Sequence, residues 1–242
     1  MDSSMGTPGQ LIYEGKAKKV YATADAGILR VVFKDDATAF NGKKKGVIQG
    51  KGALNCEMSA MVFRQLQASG IPTHLLETDA PGEMLVKAVT IIPVEVIVRN
   101  LASGSLQRML GVEEGTELSM PVLEFCYKND ALGDPMVNDD HIIAFGWATP
   151  QQMLEIRRMA LEINRTLRSL MLQAGLKLVD FKLEFGLHEG QVILADEVSP
   201  DTCRIWDAET NKKLDKDRFR QDLGQVAEAY EEVLERLRKH WK

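Results

Sequence analysis

The stretch KLVDFKLEFGLHEGQVILADEVSPDTCRIWD, residues 177–207, sets two carboxylates, Glu184 and Asp196, among apolar runs. What they can do depends on the fold between them. Asp180, Lys182 and Glu184 alternate with Phe181, Leu183 and Phe185, the period-two pattern of a half-buried strand. His188-Glu189-Gly190 reads as a turn, and residues 191–195 as a second apolar run. A hairpin turning near Glu189-Gly190 brings Glu184 and Asp196 close together. Two carboxylates on one sheet face repel unless positive charge sits between them, from a lysine or a divalent metal. Mg²⁺ suits such a pair, because it takes carboxylate oxygens and leaves its other positions to water and substrate phosphates. A buried salt-bridge network is the alternative. Lys182 shares the face of Glu184, while Asp201 and Arg204 follow in a Ser199-Pro200 loop open to a second substrate.

Three further stretches suit anionic ligands. YEGKAKKVY, residues 13–21, sets Gly15 between two strand candidates, a loop able to lie over phosphates with Lys16 or Lys18 neutralising their charge. A plain hairpin with solvated lysines fits it equally. Lys87 falls inside a strand, where it pairs with phosphates beneath that loop or snorkels from an edge. VRNLASGS, residues 98–105, ends a strand at Arg99 and opens a short helix at Ser103-Gly104-Ser105, which makes either a phosphate pocket or an N-cap. Lys128, Asp130 and Asp134 lie in a polar loop. His74, His141, His188 and His240 are scattered, which argues against a zinc site or a Ser-His-Asp triad. Nothing beside Cys203 marks it as a nucleophile.

The elements that carry these residues follow from periodicity. Strand candidates cover residues 10–13, 19–23 and 28–33, then 84–89 and 91–98, with Pro93 as an edge or bulge signal. Residues 34–52 are polar and glycine-punctuated. A helix spans 53–69 and stops at Gly70, and a second follows the Thr149-Pro150 start and ends at Gly175. Leu223, Val226, Tyr230, Val233 and Leu237 mark a terminal amphipathic helix. Residues 1–9 read as a loose leader. Strands thus dominate the first 100 residues, and long helices with a strand pair make up the rest. The expected fold is α+β, with an N-terminal β-rich lobe of residues 1–88 and a C-terminal α+β lobe of 89–242.

Acidic residues exceed basic ones 35 to 30, which speaks against nonspecific nucleic-acid binding. No apolar run reaches the roughly 18 residues of a membrane span, and no secretory signal opens the chain. Three separated cysteines, Cys56, Cys126 and Cys203, suit a reducing compartment, so cytoplasm is expected.

In GKAKKVY, KDDATAFNG, PVEVIVRNLASGS, KNDALGDPMVN, LVDFKLEFG, DEVSPDTCRIWD and LDKDRFRQDLG the chain resembles the SAICAR synthetase family, from about Leu11 to Tyr230. The resemblance implies a two-lobed molecule, with a kinase-like ATP-binding N-terminal lobe and a larger, ATP-grasp-like C-terminal lobe. It implies an ATP-dependent ligase that joins L-aspartate to an imidazole nucleotide carboxylate in purine synthesis. It assigns ATP to Gly15, Lys16, Lys18, Lys87, Glu184 and Asp196, with Mg²⁺ on the two acids and Lys18 and Lys182 as catalytic lysines. It assigns the imidazole nucleotide to Arg99, Ser105, Asp201, Arg204 and Arg218, the last not separable from Arg220. Asp36 and the TAFNG loop are expected to close over the nucleotide, and the assembly to be a homodimer. One departure is Asn55-Cys56, where many members carry paired asparagines. Two rival readings are a kinase, disfavoured as a protein kinase by the lack of HRD and DFG motifs, and a non-catalytic nucleotide-binding protein. Aspartate-dependent phosphate release with amide formation separates all three.

Overall fold

The computed structural model describes residues 9–40 and 42–241. Residues 1–8 of the expected 1–9 leader and Asn41 of the TAFNG loop lie outside them. Two antiparallel sheets and a small hairpin carry the strands. The first sheet has the order β1 (Leu11–Glu14), β2 (Lys18–Ala22), β3 (Ile28–Phe33), β7 (Glu83–Lys87), β6 (Leu75–Ala80). The second has the order β10 (Met136–Val137), β9 (Glu117–Tyr127), β8 (Thr90–Leu101), β11 (Leu176–His188), β12 (Gln191–Ala195), with β13 (Cys203–Asp207) also on β11. The chain passes from one sheet to the other at Ala88-Val89. The core is nevertheless continuous: one hydrophobic cluster runs from Val31 and Phe33 through Phe63 and Phe181 to Leu237.

β11 organises the larger sheet. One of its edges pairs with β8, while the other is divided, residues 176–181 pairing with β13 and 184–188 with β12. At the junction the segment between β12 and β13 leaves the sheet, and Lys182 N–H donates to Thr202 O at 2.8 Å. That excursion puts Asp196, Glu197 and Asp201 beside the polar face of β11. The alternation holds as expected. Phe181, Leu183 and Phe185 are at most 1% exposed, each contributing roughly 1.5–3 kcal/mol of hydrophobic stabilisation, and Asp180, Lys182 and Glu184 face the opposite side. The hairpin turns at Glu189-Gly190, both with positive φ, and His188 pairs with Gln191.

Helix α4 (Pro150–Gln173) packs on β11 and β8, and α1 (Lys51–Ala68) packs between the first sheet and α6 (Val226–His240). The Thr149 start carries a full capping box with Gln152. Pro93 sits at a bulge in the β8–β11 ladder, which spares the sheet the missing N–H. Several expectations need correction. Residues 34–52 contain a hairpin, β4 (Asp36–Ala39) with β5 (Lys44–Val47). The C-terminal half holds a sheet rather than a strand pair: β9 adds a strand that the sequence pattern does not mark, and β13 forms where a loop is expected. Arg204 therefore stands on a strand, not in a loop. Short helices α2 (Gly104–Leu110), α3 (Asp139–Ala144) and α5 (Asp217–Arg220) complete the described chain.

Candidate active site

A cleft of about 1010 Å³ opens where the two sheets meet, a volume suited to more than one small ligand. Its floor is the polar face of β11. Gly15, Lys16 and Lys18 line it from the β1–β2 turn and Lys87 from the end of β7. The turn closes with Gly15 N–H donating to Lys18 O at 2.8 Å. Lys87 forms no ion pair among the described residues. Phe40, in the left-handed region and 58% exposed, stands at the cleft mouth. Across that mouth Lys16 Nζ donates to Asp130 Oδ1 at 2.6 Å.

At one end, four carboxylates, Glu95, Glu184, Asp196 and Glu197, face three ammonium groups. Lys182 Nζ contacts Glu95 at 2.6 Å and Glu184 at 3.2 Å. Lys128 pairs with Glu184, and Lys18 with Asp196 and, at 3.4 Å, with Glu197. Asp196 has φ 61° at the end of β12, a left-handed turn that Asp tolerates better than most residues and that takes the chain off the sheet. Burial alone would push Asp196 upward, but Lys18, Lys182 and Lys128 outweigh it and hold the carboxyl below its usual range. Burial would likewise lower Lys18 and Lys182, but the surrounding carboxylates keep both above the ordinary lysine value. Both are therefore fixed positive charges rather than bases. Burial, with Asp196 and Asp201 nearby, raises Glu197. No cluster of three His, Cys, Asp or Glu side chains suited to a metal occurs among the described residues. Two hard oxygen donors with room for phosphate still fit Mg²⁺, whose remaining ligands are ordinarily water and nucleotide.

The other end is built on arginines. Arg99, 2% exposed, donates to Glu124 at 2.8 Å, Asp180 at 2.8 Å and Ser105 Oγ at 2.7 Å. Arg204 bonds Asp180 at 2.9 Å and Asp217 at 2.8 Å. Asp180 thus bridges both guanidinium groups. Gly104 packs against Arg204 so closely that a Cβ would lie 2.5 Å from its Nη2. Asp201 lines the cleft with both oxygens engaged, one by Lys51 Nζ at 2.7 Å and the other by Tyr230 Oη at 2.7 Å. Burial raises Asp201, but Lys216, Lys51 and the Tyr230 bond outweigh it and hold it well below the usual carboxylate range.

Arg218 is the correction. Its guanidinium donates to Gly224 O, Leu223 O and Lys213 O at 2.8–3.1 Å, away from the cleft. Arg220, two residues on and about 200° around the same helical turn, faces the cleft instead. Cys56 lies in the core of α1. Neither Asp180, although it alternates in phase with Lys182 and Glu184, nor Glu95 is among the site residues expected from the sequence. No local pattern marks Lys51 or Tyr230.

The SAICAR synthetase family model matches residues 11–237. A phosphoribosylaminoimidazole-succinocarboxamide synthase of Desulfitobacterium hafniense is 58% identical over 231 residues, covering 96% of this chain and 97% of that protein. The crystal structure of the synthase from Ehrlichia chaffeensis superposes with a TM-score of 0.93 at 48% identity, covering 95% of this chain and 98% of that one. A SAICAR synthetase in complex with ADP gives a TM-score of 0.91 at 45% identity, with the same two coverages. With the family model matching residues 11–237 and the relatives sharing its length and fold, the chain belongs to the SAICAR synthetase family.

Proposed function

We propose that the two ends of the cleft divide the work of this ligase. The reaction is the ATP-dependent joining of L-aspartate to 5-amino-1-(5-phosphoribosyl)imidazole-4-carboxylate, giving SAICAR, ADP and phosphate in de novo purine biosynthesis. Gly15, Lys16, Lys18 and Lys87 hold ATP over the Glu184–Asp196 end, where the two acids hold Mg²⁺. Arg99, Ser105 and Arg204 hold the imidazole nucleotide, with Asp201 at the margin. Residues 1–88 act as a kinase-like nucleotide lobe and 89–242 as an ATP-grasp-like lobe, in a cytoplasmic homodimer. No described helix is long and apolar enough to cross a membrane.

The chemical difficulty is a carboxylate's poor leaving group. Its oxygen attacks the γ-phosphoryl, the bond to ADP breaks, and an acyl phosphate forms. The neutral amine of aspartate then attacks the acyl carbon, and phosphate departs with the N–H proton. Negative charge spreads over the phosphoryl oxygens during transfer, and Lys18 and Lys182, kept cationic by their carboxylates, stabilise it. Bound Mg²⁺ supplies further charge neutralisation at the phosphates. Arg99 and Arg204, cross-braced through Asp180, fix the acceptor so that its carboxylate meets the phosphoryl group, a gain from orientation as much as from charge.

The separation of a carboxylate–lysine end from an arginine–serine end along the single floor of β11 carries this reading. Phosphate release with Mg²⁺-ATP and the imidazole nucleotide, with and without L-aspartate, tests it. Release that requires both acceptors, with a succinocarboxamide product by mass, is expected. ATP binding with no amide from folded protein contradicts it.

A further inference from the structure

Asp215 stands between β13 and α5 and does not line the cleft. Its side chain is wholly buried and forms no ion pair among the described residues. Its partners are two backbone N–H groups. Ile205 N–H on β13 donates to Oδ2 at 2.8 Å, and Asp217 N–H at the start of α5 donates to Oδ1 at 2.7 Å. On the same edge of β13, Leu214 N–H donates to Ile205 O at 2.8 Å. The Asp215 carboxyl thus takes the place of a neighbouring strand's carbonyl, and it ties α5 to the sheet.

What α5 carries makes that tie matter. Asp217 accepts from Arg204 Nε at 2.8 Å and from Arg220 Nη1 at 2.5 Å, and both guanidinium groups line the arginine end of the cleft. The titratable and charged groups that face Asp215 are Asp217 from α5, Arg204 and the Cys203 thiol from β13, and the Tyr230 phenol from α6. Lys216, between the two acids in sequence, turns its ammonium group toward Asp201 instead, at 3.7 Å. Burial and the Asp217 charge raise Asp215 to about 7, against the pull of the two N–H bonds and Arg204. Burial holds the Cys203 thiol and the Tyr230 phenol above their ordinary values, so neither ionises at neutral pH.

We propose that Asp215 is a positioning residue that makes the arginine end of the cleft sensitive to acid. Ionised, it accepts both N–H groups and holds α5, and so Asp217, against Arg204. Protonated, one of its oxygens becomes an O–H donor facing an N–H donor, so one of the two bonds is lost and α5 slackens. Arg204 and Arg220 then lose their common brace, and the imidazole nucleotide binds less tightly. Asp215 itself touches no ligand and acts through Asp217. The role rests on the arginine end being the acceptor site.

The test compares the parent with Asp215→Asn, whose amide keeps the shape and stays neutral at every pH. Equilibrium binding of the imidazole nucleotide and of ADP is measured by calorimetry from pH 6 to 8. The nucleotide's own phosphate titrates alike against both proteins and cancels in the comparison. At pH 8 the variant is expected to bind the imidazole nucleotide roughly 3- to 10-fold more weakly, the effect of one lost hydrogen bond, and at pH 6 to match the parent. ADP affinity is expected to stay equal throughout. Urea unfolding reads the same proton without a ligand. The folded pKa lies above the unfolded value of about 3.9, so the Asp215 contribution to stability falls as the pH rises toward 7 and levels above it. The ratio of unfolding constants, parent over variant, is therefore expected to rise by up to about tenfold per pH unit on the way from pH 5 to 7. An equal Kd for the two proteins at pH 8 overturns the role, as does a difference that persists at pH 6 or a flat unfolding ratio. Should Asp215→Asn not fold, Asp217→Asn removes the like charge and is expected to move the inflection near pH 7 in imidazole nucleotide binding to lower pH. An inflection that stays in place overturns the role. A parent that binds no imidazole nucleotide at any pH overturns the acceptor-site reading, and this role with it.

Discussion

Tyr230→Phe isolates one bond with little change of shape. Tyr230 comes from α6, is fully buried, and donates to Asp201 Oδ1 at 2.7 Å while Lys51 holds Oδ2. Phenylalanine fills the same space, so no cavity term enters. The loss is a buried hydrogen bond to a charged acceptor, worth about 1.5–3 kcal/mol. For a chain of this size each kcal/mol lowers Tm by about 2–4 °C, so a fall of about 3–12 °C is expected. Burial and Asp201 both keep the Tyr230 phenol well above its ordinary pKa, so it stays neutral throughout. Asp201 is held below its unfolded value, so its contribution is fully present above a pH of about 3.9 and fades as the pH falls through the lower folded value. The stability gap between parent and variant is accordingly flat from pH 8 to 5 and narrows only in stronger acid. Urea unfolding across that range measures it. A gap below about 0.5 kcal/mol at pH 7, or one that closes between pH 7 and 5, refutes the assignment of Tyr230 as a brace for ionised Asp201.

Other substitutions address the remaining parts of the cleft. Glu184→Gln and Asp196→Asn are each expected to lower kcat on the order of 10²–10³-fold, read by phosphate release, with the circular dichroism spectrum unchanged. Gly104→Ala puts a Cβ 2.5 Å from Arg204 Nη2 at a φ of +59°. It should raise the KM for the imidazole nucleotide roughly tenfold and cost about 1–2 kcal/mol of stability by urea titration, leaving the KM for ATP unchanged. Burial pushes the thiols of Cys56 and Cys126 up to about 12 and about 11, and Cys203 higher still. A thiol reagent at pH 8 is therefore expected to leave the native protein unmodified and to count three thiols after denaturation.

The central hairpin was legible because two signals coincided, the alternation along residues 180–185 and the Glu189-Gly190 turn. Both come from local chain geometry. β9 was not, since Glu117–Tyr127 carries Pro121 and exposed Met120 and shows no clean alternation, although Gly115 stands just before it. Its place is fixed by pairing with β8 across the sheet. β13 was hidden for a related reason: Cys203–Asp207 is short, and its register on β11 comes from tertiary contact. At the site, Lys87, Arg99, Lys182 and Glu184, charged residues on strands, were found, whereas Glu95 and Asp180, also on strands, were not. Lys51 and Tyr230 were not, because one opens a helix and the other sits in an ordinary apolar stripe. Their partner Asp201 is 150 and 29 residues away in sequence, respectively. Arg218 and Arg220 could not be separated, because facing on a single turn depends on where α5 docks.

Oxygen transfer tests the division of the cleft most directly. The imidazole nucleotide, with both carboxylate oxygens replaced by ¹⁸O, is turned over with unlabelled ATP and L-aspartate, and the released phosphate is weighed by mass spectrometry. If the carboxylate placed by Arg99 and Arg204 attacks the γ-phosphoryl held at the Glu184–Asp196 end, each phosphate carries one ¹⁸O and the amide keeps the other. Unlabelled phosphate accompanying amide product would contradict the acyl-phosphate path and the meeting of the two ends on β11.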